Sequence, residues 1–364
     1  MRPVIELVER DFASFFDVPF EVYEPGSPYV SPLKSDLKRF LDADANPLFK
    51  GASDFTYFTA LNGARPVGRI VVHAHAESNT AHGTNRASFG FFDCADDLDV
   101  AAALLSRAED WARARGFSEL VGNFNLTAMQ QLGVQTDHFD RPAYTDMVVN
   151  PPHIPKLLQH NGFTPFFPVT TYEVQLAQAS IPNSPLTAEY EFAPIKRRTF
   201  AARMEEARLV LNDGFSDNPM FVPLTAQEFT FQAGEMTSIM DPRLSSVLKK
   251  DGEPVGVVIC IPDLNGFLKA TRSRFTWTTL FHFLRFRLWR RRAVIIFYSV
   301  ATASHGQGVM SAILSRTLTQ LRDAGYTELG ITWIADENAG SLRMMDKIGA
   351  KPLHRLHLFR KPLP

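Results

Sequence analysis

The sequence predicts an α+β protein of two similarly built domains, each a mixed sheet flanked by helices. Three observations carry this reading. The chain has 364 residues, 45% of them apolar, enough for about two globular domains at roughly 100–200 residues each. Both halves run through one order of elements: hairpin, strand, helix, strand, helix, glycine. Between them, residues 177–185 (Ala-Gln-Ala-Ser-Ile-Pro-Asn-Ser-Pro) have the small, polar, proline-marked composition of a linker. The expected domains are therefore residues 1–176 and 186–364. The shared order suggests an internal duplication.

The elements follow from local pattern. Val18 to Pro32, rich in proline and aromatics, reads as irregular. Phe55–Leu61 and Val67–His73 read as strands around the hairpin signal Asn62-Gly63. Ala87–Phe92 is a third strand. From Asp97 to Arg115, Val100, Ala103, Leu104, Ala108 and Trp111 recur at helical spacing, and Gly116 ends the run. Leu120–Phe124 reads as a strand and Ile154–His160 as a helix. In the second half, Phe200–Asp213 is a helix, and Ser245–Lys250 and Val255–Ile261 pair across Asp251-Gly252. Ala293–Val300 is an apolar strand, Gly308–Ala324 a helix, Leu329–Trp333 a strand, and Ala339–Ile348 a helix closed by Gly349.

Composition narrows the function classes. A net charge of −1 carries no signature of polyanion binding. The charge is uneven, however. Leu264 to Arg322 holds ten Lys and Arg and no Asp or Glu, so this region should carry a positive potential. The 30 phenylalanines read first as core, with an acyl pocket or a membrane surface as the sharper alternative. Cys94 and Cys260 lie in apolar runs without CxxC or Cys/His spacing, so neither a disulfide nor a metal site is expected. A cytoplasmic protein, at most peripheral on the inner membrane, fits these features. The first residues lack a signal-peptide core, and no run of about 20 residues is apolar enough to span a bilayer.

The chemistry concentrates in the second half. Ser299, Val300 and Ala301 end a strand that runs through Ser304, His305, Gly306, Gln307 and Gly308 into a helix opening at Val309 and Met310. Such a turn leaves backbone N–H groups unpaired at the positive end of a helix dipole, where a phosphate or pyrophosphate is stabilised. Gly306 and Gly308 clear the approach. An ordinary strand-to-helix turn is the competing reading. About thirty residues later comes Ile331 to Asn338, a helix, and then Lys347-Ile348-Gly349-Ala350-Lys351.

This pairing resembles the GNAT (acyl-CoA N-acyltransferase) superfamily. The resemblance implies two tandem GNAT-like domains with acyl-CoA or acetyl-CoA as co-substrate. His305, Gly306, Gln307, Gly308, Val309 and Met310 would then cradle the CoA pyrophosphate, with Asn338 opening the helix beside the pantetheine. Two residues depart from the pattern: Met310 is bulky where a small residue is usual, and Met345 stands where many members carry a tyrosine acid. A narrower resemblance spans nearly the whole chain. Ser31–Leu37, Val67–Ile70, Phe89–Phe92, Asn150–Pro152, Phe221–Leu224, Pro262–Asn265 and Gly349–Pro352 are similar to segments of the tandem GNAT-like family that includes bacterial ceramide synthases. That family implies transfer of an acyl group, fatty in its ceramide-forming members, to a primary amine such as a sphingoid base.

The first domain has no comparable glycine loop and is not expected to bind CoA. Its Asn123, Asn125, Asp146, Asn150 and His153 either complete an acceptor pocket or serve structure. For the base that deprotonates the amine, Asp336 and Glu337 precede the Asn338 helix, where helix capping is the competing role. The oxyanion donor is expected among the amides near Ser299, Val300 and Ala301. Phe275 to Arg292, placed on a helix, gathers Trp277, Leu280, Phe281, Leu284 and Leu288 on one face and arginines elsewhere. This is either an interfacial helix, a peripheral membrane contact, or a core-facing helix with a solvated basic side. Remaining alternatives are an N-acetyltransferase for small molecules and a non-catalytic acyl-CoA-binding protein; under any of these readings the chain could pair as a homodimer.

Overall fold

The computed structural model describes residues 5–49, 54–183, 186–233 and 239–364. Ser184 and Pro185, at the end of the expected linker, lie outside them. Alternating strands and amphipathic helices build a single mixed sheet. Its first half holds β1 (Ile5–Glu9), β2 (Phe55–Asn62), β3 (Arg65–His73), β4 (Arg86–Cys94) and β5 (Glu119–Gly122), with short β6 (Val134–Gln135) beside them. Strand β7 (Thr164–Gln175) ends that half. The second half holds β8 (Tyr190–Pro194), β9 (Ser246–Lys250), β10 (Glu253–Pro262), β11 (Arg292–Val300), β12 (Glu328–Ala335) and β13 (Lys351–Pro362). The order across the sheet is β1-β2-β3-β4-β5-β13-β7-β12-β11-β10-β9-β8, with β6 on β13.

This order contains an exchange. The last strand of each half pairs with the other half: β7 lies on β12 and β13 on β5, and the two exchanged strands pair with each other. Chain order divides at residues 177–185, but hydrogen bonding crosses that division. Among the described residues, only β4 with β5 and β11 with β12 run parallel.

Helices cover both faces. Helix α1 (Phe12–Val22) starts at Asp11, whose carboxylate accepts from Ala13 and Ser14 N–H at 3.1 and 3.4 Å. It carries the chain through Val18–Val22, where an irregular segment was expected. Burial of Phe15, Phe16, Val18 and Pro19 outweighs the proline at position 19. Next come α2 (Lys34–Phe40), α3 (Ala76–His82), α4 (Leu98–Arg113) and α5 (His153–His160). Helix α4 takes its cap from Asp97 and buries Val100, Leu104, Ala108 and Trp111, as its spacing predicts. The second half carries α6 (Phe200–Gly214), α7 (Ala226–Ala233), α8 (Asn265–Thr271), α9 (Thr279–Trp289), α10 (Val309–Asp323) and α11 (Ala339–Ile348). Helices α10 and α11 share one core with β11 and β12, and α6 and α7 share another with β10.

The halves are clasped by the loop Ala143–Met147. Tyr144 lies flat on β12, where a Cβ at Gly330 would come within 2.4 Å of its ring. The Arg292 guanidinium stacks over that ring at 3.8 Å and pairs with Asp263 at 3.0 Å. Asp263 in turn accepts from the Thr145 N–H and hydroxyl, both at 2.9 Å. The Pro262–Asn265 segment thus fixes a loop of the first half onto the second.

Replacing Gly330 with Ala forces the Tyr144 ring off β12. Chemical denaturation should show a loss of about 1–3 kcal/mol, the usual cost of overpacking. The Gly330→Ala/Tyr144→Ala double variant should lose less than the two single changes summed. Strict additivity would remove the clasp from this account.

Candidate active site

Each parallel pair opens beyond its last paired residues, which are Phe89 with Gly122 and Ile295 with Ile331. The first opening is filled. Phe124 N–H donates to Phe89 O at 2.7 Å, and the Asn125 and Asn123 side chains accept from Phe91 and Phe92 N–H at 2.6 and 3.4 Å. A Cβ at Gly90 would fall 1.8 Å from the Phe124 carbonyl oxygen. Backbone and asparagine amides thus close the place a ligand would need. In the second opening, among the described residues, only the Thr332 hydroxyl bridges the strands, donating to Ile296 O at 2.8 Å.

At the end of β11 the chain turns toward α10. Ala301 N–H is taken by Val255 O at 2.9 Å, and Thr302 N–H by Asp213 Oδ2 at 2.5 Å. A 3₁₀ turn uses Ser304 and His305 N–H, and Gln307 N–H reaches Ser304 O at 3.4 Å. Gly306 and Gly308 then sit at φ +76° and +81°, in the left-handed region. Among the described residues, no protein acceptor takes the N–H of Gly306, Gly308, Val309 or Met310. This loop is open to solvent except at Ser304, Gly308, Val309 and Met310. Met310 packs against the core under α10, so its bulk is turned into the protein.

A cavity of about 610 Å³ lies between the halves and meets β11 at Ile296 and Phe297. The register shifts between Ile259 and Cys260, opposite Ile296. This bulge breaks the in–out alternation, so two consecutive side chains reach one cavity. The wall is mostly apolar, including Phe91, Val149, Met204, Ile259 and Phe283. Its notable polar member is Asp146, held at φ +70° beside the Tyr144 clasp. Among the described residues Asp146 has no hydrogen-bond or ionic partner. Burial alone pushes its carboxyl well above the usual carboxylate range. Three donors on the same wall are buried and unpartnered: Arg39 Nε, Gln130 Nε2 and Gln232 Nε2. Buried donors of this kind are satisfied in nearly all native proteins, so a ligand with acceptor oxygens suits the cavity.

The structure separates other residues that the sequence drew together. Both Asp336 oxygens are held by Arg355 at 2.6 and 2.5 Å, and Glu337 is exposed; neither lines the cavity. Asp336 and Glu337, the expected candidates for the base, thus stand outside the cavity, whereas Asp146 lines it. Asn338 caps α11, accepting from Ser341 N–H at 3.0 Å. His305 turns its ring back to Val300 O at 3.1 Å, and the Gln307 side chain donates to Ala303 O at 2.9 Å. Met345 is buried in the core. Of the first-half residues, Asn150 braces Gln135 and His153 contacts Cys94 O, while Asp146 and Asn125 reach the cavity. One buried hydroxyl on β11, that of Tyr298, lies beside Ser341 of α11, and burial raises its pKa. Asp146 is marked in the sequence only by an acid within Ala143–Val149, a run otherwise uncharged.

Helix α9 buries no side chain. Trp277 is 94% and Leu288 76% exposed, so the face expected either at a membrane or in the core is not in the core. None of the helices, among the described residues, is long and apolar enough to cross a membrane.

Comparison with known proteins fits this geometry. Residues 213–350 match the acetyltransferase (GNAT) family. The tandem GNAT protein from the clavulanic acid biosynthesis pathway superposes with a TM-score of 0.63 at 14% identity, covering 99% of both chains. The chain is therefore an N-acyltransferase of the GNAT class with two such folds in tandem. It is 25% identical to Protein YghO of Escherichia coli, over 98% of this chain and 94% of that one. It is also 25% identical to the bacterial ceramide synthase of Caulobacter vibrioides, over 96% of this chain and 94% of that one. Over nearly its whole length it thus resembles the tandem GNAT-like proteins that include the bacterial ceramide synthase. The GNAT fold takes acyl-CoA or acetyl-CoA as donor and an amine as acceptor.

Burial raises the Asp146 pKa above its unfolded value, so the cost of ionising it in the fold is absent below the unfolded carboxylate range, about 3.9, and complete above the raised value. Asp146→Asn should melt at a higher temperature than the native chain at pH 8, with the gap closing toward pH 4. A gap independent of pH would place Asp146 in water.

Proposed function

We propose that the chain transfers a fatty acyl group from acyl-CoA to the primary amine of a long-chain amino alcohol, such as a sphingoid base. The observation that carries this reading is one half-buried carboxylate, Asp146, which has no partner among the described residues and lines an apolar cavity that meets β11 where the parallel strands part. The volume, about 610 Å³, lies in the range that encloses ligands of this size, roughly 300–1,000 Å³. The hydroxyls of such an acceptor would satisfy Arg39, Gln130 and Gln232. The kinship with a protein named ceramide synthase supports the same acceptor class.

In this reading residues 186–364 hold the acyl-CoA site and residues 1–176 bind no CoA, the filled first crevice being the reason. The unpaired amides at Gly306, Gly308, Val309 and Met310 hold the pyrophosphate. The thioester lies between β11 and β12, with Asn338 at the head of the flanking helix. The acceptor enters as an ammonium ion attracted to Asp146. The carboxylate takes one proton, and a pKa raised by burial makes it a better base than an exposed aspartate. The free amine attacks the thioester carbonyl, and β11 amides near Ser299 and Val300 receive the oxyanion. Collapse forms the amide, breaks the C–S bond and releases CoA thiolate. Tyr298, kept protonated by burial, is the phenol available to protonate it, and the second proton lost by the attacking nitrogen restores that phenol.

Turnover with palmitoyl-CoA and an 18-carbon amino alcohol should exceed that with acetyl-CoA and a short amine by at least tenfold in kcat/KM. Equal or reversed preference would overturn the lipid reading. Asp146→Asn should lower kcat by about 10²–10⁴-fold and abolish the rising limb of the pH profile, leaving the acyl-CoA KM within a few-fold. By contrast, Gly308→Val and His305→Ala should raise the acyl-CoA KM more than they lower kcat.

A further inference from the structure

The outer face of α9 is apolar, cationic at its rim and continuous with the cavity. Trp277, Leu280, Phe281, Leu284 and Leu288 stand 52–94% exposed. A contiguous patch of this kind marks an interaction surface. Around it, Arg285, Arg287 and Arg291 form no ion pair among the described residues, and Arg285 stacks on Trp289 at 5.1 Å. Indole and guanidinium groups beside an apolar stripe suit the boundary between acyl chains and headgroups. Next to the helix is a recess of about 310 Å³ lined by Lys196, Arg197, Arg287 and Arg290. Its single carboxylate, Asp241, is already paired with Arg243 and Arg290 at 2.6 and 2.8 Å. The recess is thus left cationic and roomy enough for a phosphate headgroup.

Continuity decides between occupants. Phe275, Thr279, Leu280 and Phe283 belong to this segment and also line the cavity that holds Asp146. A second copy of the chain on this face would bring two arginine rims together. An anionic leaflet would neutralise one rim and leave the cavity facing acyl chains.

We propose that α9, with Phe275 and Trp277, seats the protein in the surface of an anionic lipid bilayer, so that its lipid substrate passes from the leaflet into the cavity without crossing water. The destination of that lipid rests on the acyl-transfer reading; the docking does not. The test is flotation of the full chain with vesicles of phosphatidylcholine alone or with 30% phosphatidylglycerol, a composition chosen as about that of an anionic leaflet. The native chain should partition at least tenfold better onto the anionic vesicles, an advantage that high salt removes. The triple change Trp277→Ser, Leu284→Ser, Leu288→Ser should cut partition at least tenfold without moving the melting temperature, since all three are exposed. Neutralising Arg285, Arg287 and Arg291 to Gln should abolish the preference for anionic vesicles, at about fivefold per arginine. Thiol release with water-soluble substrates should stay within twofold in both variants, so loss of acyl transfer and loss of docking are read separately. Equal flotation on both vesicles, or full flotation of the serine variant, overturns the proposal. A dimer that the serine changes dissociate, with no vesicle binding, assigns the face to a second copy.

Discussion

The stacking of Arg292 on Tyr144 is the contact that fixes the Ala143–Met147 loop of the first half against the second. The ring has a place on β12 because Gly330 has no side chain. The guanidinium has its orientation because Asp263 and Glu328 hold it at 3.0 and 3.2 Å. Asp263 binds Thr145, and the next residue is Asp146. A carboxylate that solvation alone would keep in water is delivered into an apolar cavity by neighbours on either side, each fixed to the other half of the chain. Cation–π stacking contributes about 0.5–2 kcal/mol, a modest energy that here decides where a charge sits.

The two halves share a topology but differ in what fills its crevice. In both, a parallel strand pair opens beyond its last hydrogen bond. In the first half Asn123 and Asn125 fill the opening with amides aimed at β4. In the second, β11 and β12 part without such a plug, and the turn through Gly306 and Gly308 presents free N–H groups at the start of a fifteen-residue helix. The first crevice is thus filled, while the second stands open beside the turn. Exchange of β7 and β13 makes this division permanent, since neither half completes its sheet alone.

Local pattern made much of this legible. Helical spacing placed α4, α6, α10 and α11 within a residue or two, and Asn62-Gly63 and Asp251-Gly252 marked their hairpins. The strand–loop–helix from Ser299 to Met310 was visible because glycine spacing and chain order are properties of the sequence itself. Strands β7 and β13 escaped notice as the exchanged pair. Their residues alternate well enough, but nothing in a strand names its partner. The irregular reading of Val18–Pro32 failed for a related reason: proline and aromatic content argue against a helix until burial of Phe15 and Phe16 is known.

By itself, then, the sequence determined the class of fold, the tandem order, the glycine turn from Ser304 to Met310 and the cationic, aromatic character of Phe275–Arg292. These depend on neighbours a few residues apart, where periodicity and turn chemistry speak directly. Only the tertiary structure decided that Asp336 belongs to Arg355, that Asp146 faces the cavity, and that α9 shows its apolar face to solvent. A carboxylate's role is set by which charges and how much water surround it, and those surroundings come from residues more than a hundred positions away.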